Sequence, residues 1–202
     1  MTARGDLPGI AIHEAGHLLA AIMLGADAYF AVAEPTHGLT HYGSDKLWTT
    51  LIITAAGEAA TMVLQPRDLA GATRGPANNA TENQPAVSDA LTPGERIMEN
   101  MANANLTPSD YDVAAQIIAE RHACRRYRQK LAALGCSPDE INKSVVDRYY
   151  NRARRRAYAL LAPNWLRIRA MAIVMVRHGV LNVETAQEII RNICGDPYWT
   201  PV

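Results

Sequence analysis

The residues His13-Glu14-Ala15-Gly16-His17 hold the densest chemistry in the chain. On a helix, residues four apart share a face with Cβ atoms about 5–6 Å apart. His13 and His17 can therefore present imidazole nitrogens to one zinc ion at about 2.0–2.1 Å. Glu14, beside the first histidine, can face the position left open on the metal and take a proton from water held there. Ile10, His13, His17, Ala20, Ala21 and Leu24 form one helical stripe that buries both imidazoles, so a satisfied pair of core histidines is the competing reading.

A catalytic zinc takes three protein ligands and keeps one position open. No second His-x-x-Glu-His pattern supplies the third ligand. His37 and His41 are also four apart, but they flank Gly38 and Thr40 in what reads as strand or loop, where such residues do not converge. Asp110 falls in the first turn of an expected helix. An acid at the third helical position can also cap its helix with no metal involved.

The elements that must position these groups are mostly helical. The spacing predicts a first helix over about 8–24, capped near Asp6 and closed by Gly25, with the metal motif at its middle. Short extended pieces from Ala28 to about Tyr42 form the one expected sheet. Leu47 to Gln65 reads as a helix apolar nearly all round, ending before Pro66. Its Ala55, Ala56, Gly57, Ala59 and Ala60 would let it lie close against the metal-binding helix. Residues 66–90, rich in Pro, Gly, Asn, Ala and Thr, read as a mobile loop. Thr92-Pro93-Gly94-Glu95, Thr107-Pro108-Ser109-Asp110 and Ser137-Pro138-Asp139-Glu140 repeat one start signal: a hydroxyl cap, proline at the first position and an acid at the third. They predict helices over 93–103, 108–134 and 138–162, followed by others near 164–177 and 183–193. The expected fold is a single domain over 1–202, mainly α (α+β), with a small edge sheet near 28–43 and a C-terminal helical bundle.

Composition narrows the function classes. Lys plus Arg equals Asp plus Glu at 20 each, so net charge points to neither nucleic acid nor an acidic substrate. The charge is unevenly spread: Arg121, Arg125, Arg126, Arg128, Lys130, Lys143, Arg148, Arg152, Arg154, Arg155 and Arg156 crowd one region, as a solvated helix face or a docking surface. Cys124, Cys136 and Cys194 are too few and too widely spaced for a disulfide framework or thiolate zinc site, and fit a reducing cytoplasm. The apolar run from Leu18 to Ala33 is broken by Gly25 and Asp27, which argues against a membrane span.

Three segments resemble, in order, landmarks of the FtsH-family peptidase domain. Ile12-His13-Glu14-Ala15-Gly16-His17 is similar to its metal helix, Ala55-Ala56-Gly57-Glu58-Ala59-Ala60 to its Gly-Gly-Arg-Ala-Ala helix, and Ser109-Asp110-Tyr111-Asp112-Val113-Ala114 to its Asn-Asp-Leu-x-x-Ala helix start. Leu160 to Asn164 and Val180 to Thr185 also resemble the family's closing helices. The resemblance implies a zincin-like peptidase domain with zinc held by His13, His17 and Asp110, Asp112 being the alternative, and with Glu14 as the catalytic base. It also implies that a substrate strand can pair near Leu39 to Gly43. Arginine of the family's second landmark is replaced here by Glu58, and the family's Thr-Thr-Gly-Ala approach to the aspartate is missing.

The 202 residues contain no Gly-x-x-x-x-Gly-Lys-[Ser/Thr] phosphate loop and no counterpart of the family's membrane anchor. The expected activity is thus ATP-independent zinc endopeptidase action on unfolded or extended polypeptide, with a separate ATPase or adaptor and self-association left open and no nucleic-acid partner. The alternative is a non-catalytic metal-binding module that docks a partner through the Arg-rich 121–156 region. Such a closed structural site would need a fourth ligand from His37, His41, Asp112 or Glu58.

Overall fold

Leu7–Met23 forms α1 in the computed structural model, which describes residues 7–65, Leu69, 109–122 and 143–194. Every residue from Glu14 to Ile22 on this helix is buried. Its end is fixed by Gly25 at φ 65°, where the Gly25 N–H meets the Ile22 carbonyl and the Ala26 N–H meets that of Ala21. That left-handed cap turns the chain directly into β1, Asp27–Ala33.

β1 pairs antiparallel with β2, Gly38–Gly43, in a register running from Asp27 opposite Gly43 to Ala33 opposite Gly38, with an irregularity between Ala28 and Phe30. The expected sheet near 28–43 is present, and it has one more strand. β3, Val180–Asn182, lies antiparallel on the other side of β1, giving the order β2-β1-β3. A three-residue strand wedged between two helices is too short to show a period of two, so the pattern there reads only as a connection.

The single helix expected over Leu47 to Gln65 is two. α2, Leu47–Thr54, ends at Ala55, and α3, Ala56–Val63, begins immediately after it. The physical reason is tertiary: the Ile53 carbonyl accepts a hydrogen bond from the His17 ring at 2.7 Å rather than simply serving the next helical turn. α3 packs on α1 as its small residues suggested. A Cβ on Gly16 would stand 2.5 Å from Ala60 Cβ and 2.6 Å from the Ala56 carbonyl oxygen, so that crossing is as close as backbone allows.

Later helices are α4, Asp110–His122; α5, Lys143–Leu161; α6, Trp165–His178; and α7, Val183–Cys194. Pro163 ends α5 through a single 3-10 turn, Ala162–Asn164, and Gly179 at φ 81° ends α6. The run Val146–His178 is long and apolar enough by length and composition to cross a membrane, and 39% of its apolar window is buried inside the fold. Ile12, Leu18, Leu51, Ile53, Ile118, Leu161, Ile168 and Met171 share the central core, and β3 pairs with β1, so both ends of the described chain meet in one body. The loop expected over 66–90 (Leu69 apart), the helix over 93–103, and the stretches 123–134 and 138–142 of two expected helices lie outside the described residues.

Candidate metal centre

The start of α4 decides what Asp110 is free to do. The expected helix start placed Thr107 at the cap and Asp110 at the third position. The structure moves this register by two: the Ser109 carbonyl accepts the Val113 N–H at 3.1 Å, making Ser109 the cap and Asp112 the third residue. Asp112 Oδ2 accepts from the Ser109 hydroxyl at 2.7 Å and its N–H at 3.1 Å, while the Asp112 N–H reaches back to the Ser109 hydroxyl. This reciprocal cap occupies Asp112. Asp110 is released from capping and turns toward α1.

Asp110 Oδ1 stands 3.3 Å from His13 Nε2 and 3.5 Å from His17 Nε2, and the two imidazole nitrogens are 3.0 Å apart. Tetrahedral ligands about 2.0–2.1 Å from one zinc ion are separated by about 3.3–3.4 Å. The three donors already stand near the edge lengths of one face of such a site. His17 Nδ1 donates to the Ile53 carbonyl at 2.7 Å, which fixes the ring and leaves Nε2 facing His13 and Asp110, where it could serve as a ligand. Asp110 Oδ2 accepts from the Glu58 N–H at 3.4 Å, a donor from the first turn of α3.

The break at Ala55 therefore serves the site twice, offering a carbonyl to His17 and a fresh helix N-terminus to Asp110. Gly57 is the residue that makes this approach possible. A Cβ there would lie against His13 Nε2, and 2.5 Å from His17 Nε2.

Electrostatics agree with a place for a cation. Burial alone would lower the His17 pKa, but the charges of Asp110 and Glu14 and the Ile53 carbonyl raise it to about 9. Asp110 is also buried, which opposes its ionisation, yet the two imidazoles hold it well below the usual carboxylate range. Two imidazole nitrogens and a carboxylate facing one another need positive charge between them. A proton on His17 supplies part of it, in line with its raised pKa, and a divalent ion would satisfy all three donors at once.

Glu14 is 6% exposed, and its carboxylate lies with both histidines in a group whose ligand atoms are within 4.8 Å of one another. Thr40 of β2 holds it by donating to Glu14 Oε2 at 2.7 Å, with the Glu14 main-chain oxygen also in reach at 3.1 Å. A Cβ on Gly38 would collide with the same carboxylate, so strand β2 passes directly over it. His13 keeps 32% of its side chain in solvent against 10% for His17, so the cluster opens on the His13 side.

The remaining sequence candidates are engaged elsewhere. His37 is exposed and stands 3.8 Å from Glu34. His41 stacks on Tyr29 at 4.8 Å and leans on Phe30. Glu58 Oε2 accepts from the Tyr150 hydroxyl at 2.8 Å, and its other oxygen pairs with Arg154. Thr40, Ile53, Tyr150 and Arg154 were not assigned a role at the site by motif, and Gly57 was marked only as a small residue of the second landmark. The small residues around 55–60 hinted at close approach there, but nothing in local spacing marks Thr40. No family model and no curated protein matches the chain.

Proposed function

We propose that the chain is a zinc-dependent endopeptidase of FtsH type, acting on unfolded or extended polypeptide. The observation that carries this reading is the convergence of three donors, His13, His17 and Asp110, with a separately held carboxylate, Glu14, beside them. A closed structural site needs a fourth protein ligand, and each residue the sequence offered for that place is occupied: His37, His41, Asp112 and Glu58 all bond or pack elsewhere. Among the described residues three donors converge and none of those four candidates joins them, which is the pattern expected of a catalytic metal.

His13, His17 and Asp110 would hold the ion. Zinc supplies Lewis acidity, polarising a peptide carbonyl and making water acidic enough to attack near neutral pH. Glu14 accepts the proton that the attacking water loses as its oxygen bonds to the carbonyl carbon. It then delivers that proton to the amide nitrogen as the C–N bond breaks, giving a carboxylic acid and an amine, which ionise to carboxylate and ammonium as the acid's proton passes to the amine. Thr40 keeps one Glu14 oxygen occupied, so the other is the one that carries the proton. β2 is an edge strand, and an extended substrate laid along it would pass Glu14 at close range.

With no phosphate loop in the 202 residues, the proposed activity is independent of ATP in this chain and reaches stable folded proteins only with outside help. Three widely spaced cysteines with no Cys-x-x-Cys pattern support a reducing, cytoplasmic setting. The test is cleavage of an unstructured, fluorescently labelled protein by zinc-loaded wild type beside Glu14→Gln at matched zinc content. Cleavage by the wild type alone is expected. Equal cleavage by both, or by neither with zinc bound, would sink the proposal.

A further inference from the structure

The basic crowding noted in the sequence becomes an ordered surface on α5. Arg148, Arg152, Arg155 and Arg156 are exposed. At 100° per residue they fall within about 100° of arc and extend for about 12 Å along the helix. The opposite face carries Tyr150, Ala153 and Ala157, buried, and Arg154, which pairs with Glu58 behind the metal centre. α5 therefore divides its arginines: one braces the site and four face outward. Among the described residues, no carboxylate forms an ion pair with any of those four.

Two of the four are held in place. The Arg152 and Arg156 guanidinium carbons lie 5.1 and 5.9 Å from the centre of the Trp48 ring, which in turn stacks on Tyr149 at 5.4 Å and 18° between planes. Stacking on a fixed ring removes much of the freedom an arginine must otherwise surrender on binding. The planar fork of N–H donors matches a carboxylate in bidentate geometry.

We propose that this face is a binding site for an acidic, extended polypeptide segment, whose alternate carboxylates pair with the Arg148–Arg152–Arg156 row. Residues two apart in an extended chain repeat at about 6.6–6.8 Å, and helical residues four apart repeat at about 6 Å, so two or three alternate acids fit the row. The aromatic pair does not favour a nucleic acid: Trp48 is partly buried, with Tyr149 stacked on it and two guanidinium groups over its ring, which leaves bases little ring surface to stack on. Nor does the pair offer the exposed apolar wedge of a membrane anchor, since Trp48 and Tyr149 are both partly buried.

The site does not depend on the peptidase reading, and its test is made in the Glu14→Gln background so that cleavage does not enter. A fluorescein-labelled 12-residue peptide of alternating Glu and Ser is titrated by anisotropy, beside its Lys-for-Glu counterpart, a single-stranded oligonucleotide and phosphatidylserine vesicles. The acidic peptide is expected to bind, to weaken as salt rises from 50 to 500 mM, and to lose about tenfold in affinity in Arg152→Gln/Arg156→Gln. Matched zinc content and circular dichroism would show that the variant keeps its fold. Failure of the peptide to bind, binding undiminished in the variant, or tighter Arg-dependent binding of the oligonucleotide or vesicles would each overturn the proposal.

Discussion

Thr40 spends its hydroxyl on Glu14, lying 2.7 Å from the carboxylate and 3.1 Å from the main-chain oxygen of the same residue. Thr40 thereby restrains both the rotamer of Glu14 and the distance between β2 and α1. Partners that orient catalytic groups in this way are commonly worth about 10–100-fold in activity when removed. Thr40→Val keeps the shape and deletes the donor, so in the proposed peptidase reaction kcat on an unfolded substrate should fall about tenfold with zinc affinity unchanged, and Thr40→Ser should restore most of it. Zinc affinity falling in step with kcat would mean that Thr40 supports the fold rather than the position of Glu14. At this scale, His13, Glu14 and His17 were legible because a five-residue spacing on a helix is local. Asp110 was offered by its place in a helix's first turn and singled out by the family resemblance, since periodicity cannot say which distant acid folds back onto α1. Thr40 lay within the Leu39 to Gly43 strand that the resemblance marked, but its bond to Glu14 gave no signal, because it is a contact between a strand and a helix.

Among the elements, the meeting of α1 with α3 governs the site. Gly16 lets the α3 backbone approach, and that approach carries Gly57 against the histidines and the Glu58 N–H toward Asp110. Gly16→Ala would gain roughly 1 kcal/mol of helix propensity, but it places a methyl 2.5 Å from Ala60 Cβ and 2.6 Å from the Ala56 oxygen. Overpacking of that kind costs about 1–3 kcal/mol, and with a carbonyl oxygen in the way the upper part of the range is expected. The variant should melt lower and bind zinc more weakly, whereas Gly43→Ala, with Asp27 Cβ at an ordinary 3.7 Å, should do neither. Calorimetry with zinc titration checks both, and a Gly16→Ala protein as stable as wild type would show that α3 can retreat freely. Small residues at 55–60 announced this packing in the sequence. The break at Ala55 was hidden because the apolar pattern runs straight through it, and the contacts that flank it, His17 on the Ile53 carbonyl and Asp110 on the Glu58 N–H, come from other helices.

For the molecule as a whole, the centre ties α4 to α1, so its charge state enters global stability. In the free protein the raised His17 pKa means that the folded state holds its proton more tightly than the unfolded chain does. That stabilisation is complete below about pH 6.5 and is lost as pH rises through about 9. Asp110 has the opposite sign: its depressed pKa stabilises above about pH 4 and is lost in stronger acid. The metal-free protein should therefore lose stability between pH 6.5 and 9. Zinc must displace the His17 proton, so its affinity should climb over the same interval by up to tenfold per pH unit for each proton released. Ligand bound to the folded state adds RT ln(1 + [L]/Kd), and at fixed free zinc that term grows as Kd falls. The two trends act together. The gap between the Tm of zinc-loaded and chelator-treated protein should widen steadily from pH 6.5 to 9, and should not widen in this way in His17→Ala, where the titrating ligand is gone. A gap that stays constant or narrows across that range would mean that the proton on His17 and the metal do not compete for the same place.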